Sequence, residues 1–398
     1  MPVDFAALPA RAAPLQERRA IISALVLLVI VVALGAVTSI ATWPMDRPAQ
    51  TVWFWTRTFG LPLLGWLMLY SAWRFLGAHR LHTVESYNDA IGRKEACLHD
   101  EAGVPFMIQR QSWCFSAIAE RNTLEAAMKL REDDATAQRA GGLVIPGQRF
   151  YRGNHADEAQ RHAIVLEWLL VQLVGPLAQD LKHLRGVAIY LCIGSELSED
   201  AMRSTISNVW MSLGLSGAEN VHLVNPLRLF AIDGWLDVRA YCSSCLVIAV
   251  QLRGVINGEL QPGQAEAGAA VLFSNALGEA SSSTTMALAH RPSRSAIDAV
   301  DEGIEDALRW GGCSEKAIGT VWNTWSTEPI SLTGISLDGP LGNLRIVDLV
   351  RTVGDAGVAT PWLALALASA NAKQGADAQL ILDQLDGDFV AMICRKKV

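Results

Sequence analysis

The chain has 398 residues, 51% hydrophobic and only 18% charged, with a formal net charge of −7. That length admits one large domain or two medium ones, and the composition is more apolar than that of an ordinary soluble protein. A pI near 5.7 with no basic patch excludes a nucleic-acid partner. Seven scattered Cys, without CxxC pairs or Cys/His clusters, exclude a structural zinc site and a disulfide framework.

Residues 1–19 form a short N-terminal segment. Ala20 to Thr42 (AIISALVLLVIVVALGAVTSIAT) is uncharged and long enough to span a hydrocarbon core at ~1.5 Å per residue. A second candidate helix covers about 52–76. Arg57 and Arg74 lie near its ends, and Trp53, Trp55, Trp66, Tyr70 and Trp73 are interface-seeking aromatics. Pro62 inside it is tolerable in a membrane helix. Residues 20–78 thus read as a transmembrane hairpin. Arg11, Arg18 and Arg19 precede it, and Arg74, Arg80, Arg93 and Lys94 follow its apolar part. The positive-inside rule puts both termini in the cytoplasm of a bacterial cell, with the hairpin in the inner membrane.

Residues 79–103 read as a polar stalk and 104–398 as a cytoplasmic domain. VPFMIQRQSWCF opens it as a strand. Asn122 to Ala140 and Ala163 to Leu181 have helical character. VAIYLCIG is a buried strand ending at Gly194. Ser198, followed by Glu199 and Asp200, is a helix-start signal. ENVHLVNP, SCLVIAVQLRG and GAAVLFSN read as further strands. The last third runs strand AEAGAAVLFSN, helix SRSAIDAVDEGIEDALRWGG, strand AIGTVWNTW, loop VGDAGVATP, helix PWLALALASANAKQG, and strands AQLILDQ and FVAMICRKK. Strands alternating with amphipathic helices predict an α/β layered fold.

The C-terminal turn, buried helix and two strands joined by LDGD resemble the thiolase and ketoacyl-synthase family. The repeated element order in 104–275 and 276–398 is similar to its pseudo-duplicated layers. The resemblance implies a nucleophilic Cys at a strand-to-helix turn, where backbone N–H groups and the helix dipole stabilise thiolate and oxyanion. It also implies two catalytic His. YCSSCLVIA resembles the nucleophile turn and makes Cys242 and Cys245 the candidate thiols. Two registers compete. In one, Cys242 begins a buried helix over Leu246 to Gly258. In the other, which fills every position of the half-repeat, LVIAVQLRG is a strand and the nucleophile turn falls near NPLRLFAIDGW, which has no Cys. The first His position is taken by Trp325, Ser326 and Thr327, and the second by Asp355.

With those positions changed, the sequence reads as a chain without catalytic activity, needing no cofactor and no metal. His155, His162 and His183 lack metal-ligand spacing, and neither SEL nor SSST shows Ser-His-Asp spacing. Cys313 reads as part of a helix stop, and Cys97, Cys114, Cys192 and Cys394 as apolar fillers. The layout also resembles membrane-anchored adaptors of type VI secretion lipase effectors. That implies a protein partner, a lipase effector or its spike carrier, and the family resemblance implies a homodimer. Two alternatives stand beside the adaptor: a membrane-tethered acyl-transfer or condensing enzyme using a Cys nucleophile, and an immunity protein against a lipid-directed toxin.

Overall fold

In the computed structural model the described residues are 3, 5, 7–13, 20–44, 48, 51–129, 150, 157–184, 186–215, 220–238, 244–254, 260–275, 287–325, 344–375 and 377–397. They fall into two compact units, residues 4–98 and a body from 99 to 398 joined by residues 1–3.

The first unit is a helical hairpin. Helix α1 (Ala20–Ala41) is apolar on all sides, and its Ala24–Ala41 stretch is long and apolar enough to cross a membrane. Helix α2 (Val52–Trp55) passes through a π turn (Thr56–Gly60) into α3 (Leu61–Ala102). Pro62 cannot donate a backbone hydrogen bond, and it falls at the start of α3, next to the π turn. The chain returns antiparallel to α1. Ser39 donates to the Arg57 carbonyl at 3.3 Å, and the Trp66 indole to the Ala24 carbonyl at 3.3 Å. Gly35 lies against the Pro62 ring, where a Cβ would overlap it. Such small-residue contacts bring helices close where lipid supplies no hydrophobic drive. The separate stalk expected over 79–103 is instead the continuation of α3, because Gly77 and Gly92 only weaken a helix and no Pro interrupts it.

The body is one mixed sheet in the order β3-β2-β4-β5-β1-β6-β11-β10-β8-β9, with β7 also paired to β11. The first half contributes β1 (Phe106–Cys114), β2 (Ala188–Gly194), β3 (Val221–Leu223), β4 (Ser244–Gln251) and β5 (Ala267–Asn275). The second contributes β6 (Ala287–Ala289), β7 (Ser293–Ala296), β8 (Ile318–Asn323), β9 (Arg345–Asp348), β10 (Ala378–Leu385) and β11 (Asp388–Lys396). β2 pairs parallel with β3 and β4, while β5 runs antiparallel to β4 and β1. The second half repeats this. β8 pairs parallel with β9 and β10, and β11 runs antiparallel to β10, β6 and β7. The halves join through antiparallel β1 and β6. With β6 and β7, which both pair with β11, counted as one interrupted strand, each half has the order third, second, fourth, fifth, first, and the expected pseudo-duplication is present.

Outer helices α5 (Glu158–Val174) and α7 (Glu199–Ser212) cover one face of the first half, and α9 (Val300–Gly311) covers the second. Short helices α4 (Leu124–Met128), α6 (Ala178–His183) and α10 (Leu349–Thr352) complete the connections. The central core holds α8 (Ala231–Asp237) and α11 (Thr360–Gln374), packed on strands of both halves. α11 is buried nearly throughout, so its sequence is apolar on every face. Glu158–His183 also passes a length-and-hydropathy test for a membrane span. It is nevertheless a core element, with Leu166, Leu169, Leu170 and Leu173 fully buried in the body.

The structure bears on three of these readings. SRSA, read as the start of a helix, is strand β7, and α9 begins at Val300. The buried helix over Leu246 to Gly258 is excluded, because β4 occupies Ser244–Gln251 with every residue buried. β-branched residues on both faces of a central strand favour that outcome. Of the helix expected over Asn122 to Ala140, the described residues hold only α4.

Candidate functional site

In the first half β2 lies between its parallel partners β3 and β4. The connection after β2 enters α7 on the outer face, and that after β3 enters α8 in the central core. Loops that part in this way leave a crevice at the carboxyl ends of parallel strands. A depression of about 670 Å³ opens there, walled by Gly194, Ser195, Asn225, Gln251, Arg253 and Gln264 among others. Gly194 fits because a Cβ would overlap the Gln251 amide.

The first turns of α5 supply the polar groups beside it. Asp157 caps the helix by accepting from the Ala159 N–H at 3.1 Å. Arg161, 1% exposed, donates to Glu266 at 2.7 and 3.2 Å and to Glu158 at 2.9 Å. Glu266, also 1% exposed, accepts further from the Phe150 and Arg253 N–H groups, both at 3.0 Å. Arg161 donates to the Arg253 carbonyl at 2.6 Å as well. This buried, fully hydrogen-bonded pair fixes the chain as it leaves β4.

His162 is fully buried. Its Nδ1 lies 3.0 Å from Ser195 Oγ and accepts from the Glu196 N–H at 3.2 Å. A backbone amide can only donate, so Nδ1 is the unprotonated nitrogen and Nε2 carries the hydrogen. Nε2 is 3.8 Å from Glu158 Oε2 and has no hydrogen-bond partner among the described residues. Ser195 Oγ also accepts from the Leu197 N–H at 3.2 Å and lies half-buried at the wall of the depression.

Arg253 links the two halves. Its guanidinium donates to the Asp355 carbonyl and to Oδ2, both at 3.1 Å. Asp355 Oδ1 accepts from Gly357 N–H at 2.9 Å. The Asp355 backbone is bonded on both sides to the first half, through Gly263 at 2.7 Å and Ala265 at 3.0 Å. Gly354 turns the chain into this contact at φ 107°, where a Cβ would also collide with Ala265.

The sequence-derived site residues do not converge. Cys245 sits near the start of β4, 3% exposed in the central core, rather than at a helix start. Asp355 lies beyond the other end of β4, in the expected turn before the buried helix, engaged with Arg253. Trp325 follows β8 and packs edge-to-face on Phe389 at 5.8 Å. Cys242, Ser326, Thr327 and His155 lie outside the described residues. Burial pushes the Cys114 and Cys394 thiols up to about 12 and raises Cys192 and Cys313 as well, so these four are protonated fillers. Among the described residues no cluster of His, Cys, Asp and Glu could hold a metal ion. Sequence reasoning weighed His162 as a metal ligand and the Ser195 of SEL as a nucleophile and set both aside. Their 33-residue separation shows no motif; the one available signal was a Ser directly after the glycine that ends a buried strand.

The second half closes the equivalent strand ends differently. Thr324, after β8, donates to Asp383 Oδ1 of β10 at 2.6 Å. Both are buried, Oδ2 of Asp383 has no hydrogen-bond partner among the described residues, and burial raises its carboxyl above the usual range.

No family model matches the chain, and no curated protein matches it. Solved structures do. ChlB3, titled an acyltransferase, matches at 14% identity and TM-score 0.47, over 73% of this chain and 97% of that one. A fungal type III polyketide synthase, ORAS, matches at 12% and 0.46, over 73% and 100%. The 3-oxoacyl-(acyl carrier protein) synthase III of Pseudomonas aeruginosa PAO1, FabH, matches at 14% and 0.44, over 74% and 98%. The body is a mixed α/β fold whose strand order is duplicated, and these solved structures are what it is similar to. The expectation of a chain without catalytic activity is not borne out: the matching structures carry the names of synthases and an acyltransferase, names that belong to those proteins. At these identities the likeness concerns the fold and names no reaction for this chain.

Proposed function

We propose that the chain is a membrane-tethered acyl-transfer enzyme whose substrate enters the depression at the carboxyl ends of β2 and β4. The observation that carries this reading is that depression: it lies at the crossover of a duplicated α/β body, with polar walls and a hydroxyl at its edge. Arg253 offers a positive charge at the rim to an anionic acyl carrier. The test uses full-length protein in detergent with acyl-CoA and acyl carrier protein thioesters of short to long chain. Thiol release above the protein-free rate is expected. No release with any chain length overturns the reading.

The tether is α1 together with the return helix, as an inner-membrane hairpin with both termini cytoplasmic. Support comes from the length of the apolar Ala24–Ala41 stretch and from the flanking arginines. Protease should digest the body in inverted vesicles; protection there overturns the topology.

A second reading concerns partners and is compatible with the first: the body docks a protein such as a type VI secretion lipase effector or its spike carrier. It is motivated by the layout in sequence, an apolar N-terminal segment followed by a large α/β body. Pull-down from gently solubilised native membranes, followed by mass spectrometry, tests it. Recovery of a lipase or spike component supports it, and recovery of acyl carrier protein alone removes it.

A further inference from the structure

The depression holds an arrangement that the family resemblance does not supply. We infer that Ser195, His162 and Glu158 form a serine nucleophile relay acting on acyl esters or thioesters; this names the nucleophile of the acyl-transfer reading and rests on it.

Three observations converge. Ser195 Oγ is 3.0 Å from His162 Nδ1, within reach for proton transfer. The Glu196 amide fixes that nitrogen as an acceptor, which is the tautomer a general base requires. The opposite nitrogen, Nε2–H, is buried without a hydrogen-bond partner among the described residues and faces the Glu158 carboxylate at 3.8 Å. Only the serine reaches the open depression, so the base is shielded from water while the nucleophile meets substrate. A hydroxyl, an imidazole and an orienting carboxylate are recognised by geometry and not by order along the chain. Glu158 and His162 are also one turn apart on α5, so the helix holds the carboxylate and the base on one face.

The step balances as follows. Ser195 Oγ forms a bond to the acyl carbonyl carbon, and its proton passes to His162 Nδ1. The tetrahedral intermediate expels the thiol or alcohol, which takes that proton from Nδ1. An acyl-serine ester remains. A hydroxyl, amine or water acceptor then gives its proton to Nδ1, attacks the ester carbonyl and restores the Ser195 hydroxyl. The imidazolium formed in each half-reaction is stabilised by Glu158.

The experiment is labelling of the full-length protein in detergent with a fluorophosphonate, located by peptide mass spectrometry. Stoichiometric modification of Ser195 is expected, abolished in Ser195→Ala and slowed about 100-fold or more in His162→Gln. Glu158→Gln should slow it less. Circular dichroism melts of the same variants show whether each one folds. Because His162→Gln disturbs a buried site, Ser195→Cys is the second arm: it should restore labelling, now by iodoacetamide, in a His162-dependent way. No modification of Ser195 in the folded wild-type protein overturns the inference, and so does a labelling rate unchanged by His162→Gln. In either case these hydrogen bonds only turn the chain into α7. Thioester turnover that survives in Ser195→Ala overturns the serine and leaves acyl transfer standing. Labelling of Ser195 with no thioester turnover supports the serine and overturns acyl transfer.

Discussion

The two half-sheets share one strand order and differ in what they place at its open end. In the first half, β2 and β4 end at Gly194 and Gln251, and the next residues carry a hydroxyl and a guanidinium into an open depression. In the second, β8 and β10 end around Thr324 and Asp383, which bond to each other inside the protein. Topology sets where a site can lie, and the side chains after the strand ends decide whether it opens to solvent. The helix before the fourth strand differs too. In the first half it is the seven-residue α8, in the second the fifteen-residue α11. The Trp362 indole of α11 donates to the Leu227 carbonyl ahead of α8 at 2.7 Å, which ties the two connections together.

The largest effect is expected where the first half buries its charge. Glu266→Gln leaves the Arg161 guanidinium buried without its counter-ion and should cost about 3–5 kcal/mol. Urea unfolding followed by tryptophan fluorescence measures it. A loss under about 1 kcal/mol would show that this pair is solvated like a surface bridge.

The seam between the halves should respond to acid. His290, directly after β6, is 1% exposed and accepts from the Arg395 side chain at 3.2 Å. Burial, and then the Arg395 charge, lower it to about 4 from the model-peptide 6.5. The unfolded chain therefore binds the proton more tightly. Stability is fully present above pH ~6.5 and is lost as pH falls through about 4, by roughly 2–3 kcal/mol. His290→Gln should flatten that stretch of the stability-versus-pH curve, and an unchanged curve would exclude His290 as its source.

The closed end of the second half should behave in the opposite sense. The folded-state value of Asp383 is raised, so its contribution is present below the unfolded value near 3.9 and lost as pH rises through the folded value. Asp383→Asn should remove that loss and raise stability at pH 8 by roughly 1 kcal/mol. Destabilisation at pH 8 would mean that the charged carboxylate is needed in place.

The smallest effect belongs to the partly exposed Arg253–Asp355 bridge. Asp355→Ala should cost less than about 1 kcal/mol of stability. If Arg253 meets the substrate, Arg253→Ala should raise KM for acyl carrier thioesters more than it changes kcat.

Much of the fold was legible before the structure. Apolar alternation and length located β2, β4, β10, β11 and α11, and the uncharged stretch located α1. Gly311 and Gly312 marked the end of α9, where Gly312 adopts φ 57°. Local pattern misled where two structures share one pattern: SRSA preceding an amphipathic run, and Cys-Ser-Ser-Cys preceding an apolar one. The site was less legible. Asp355 was placed correctly in its turn, but its partner Arg253 lies 102 residues away.

The sequence by itself determined the long apolar helix α1, the alternation of layers and the twofold repeat, because hydrophobic periodicity and turn chemistry are local. The tertiary structure alone decided that His162 meets Ser195, that Arg161 finds Glu266, and that Cys245 is buried in the core. Those outcomes depend on which strand ends become neighbours. Strand order follows from burying both sheet faces at once, a property of the whole chain that no short stretch encodes.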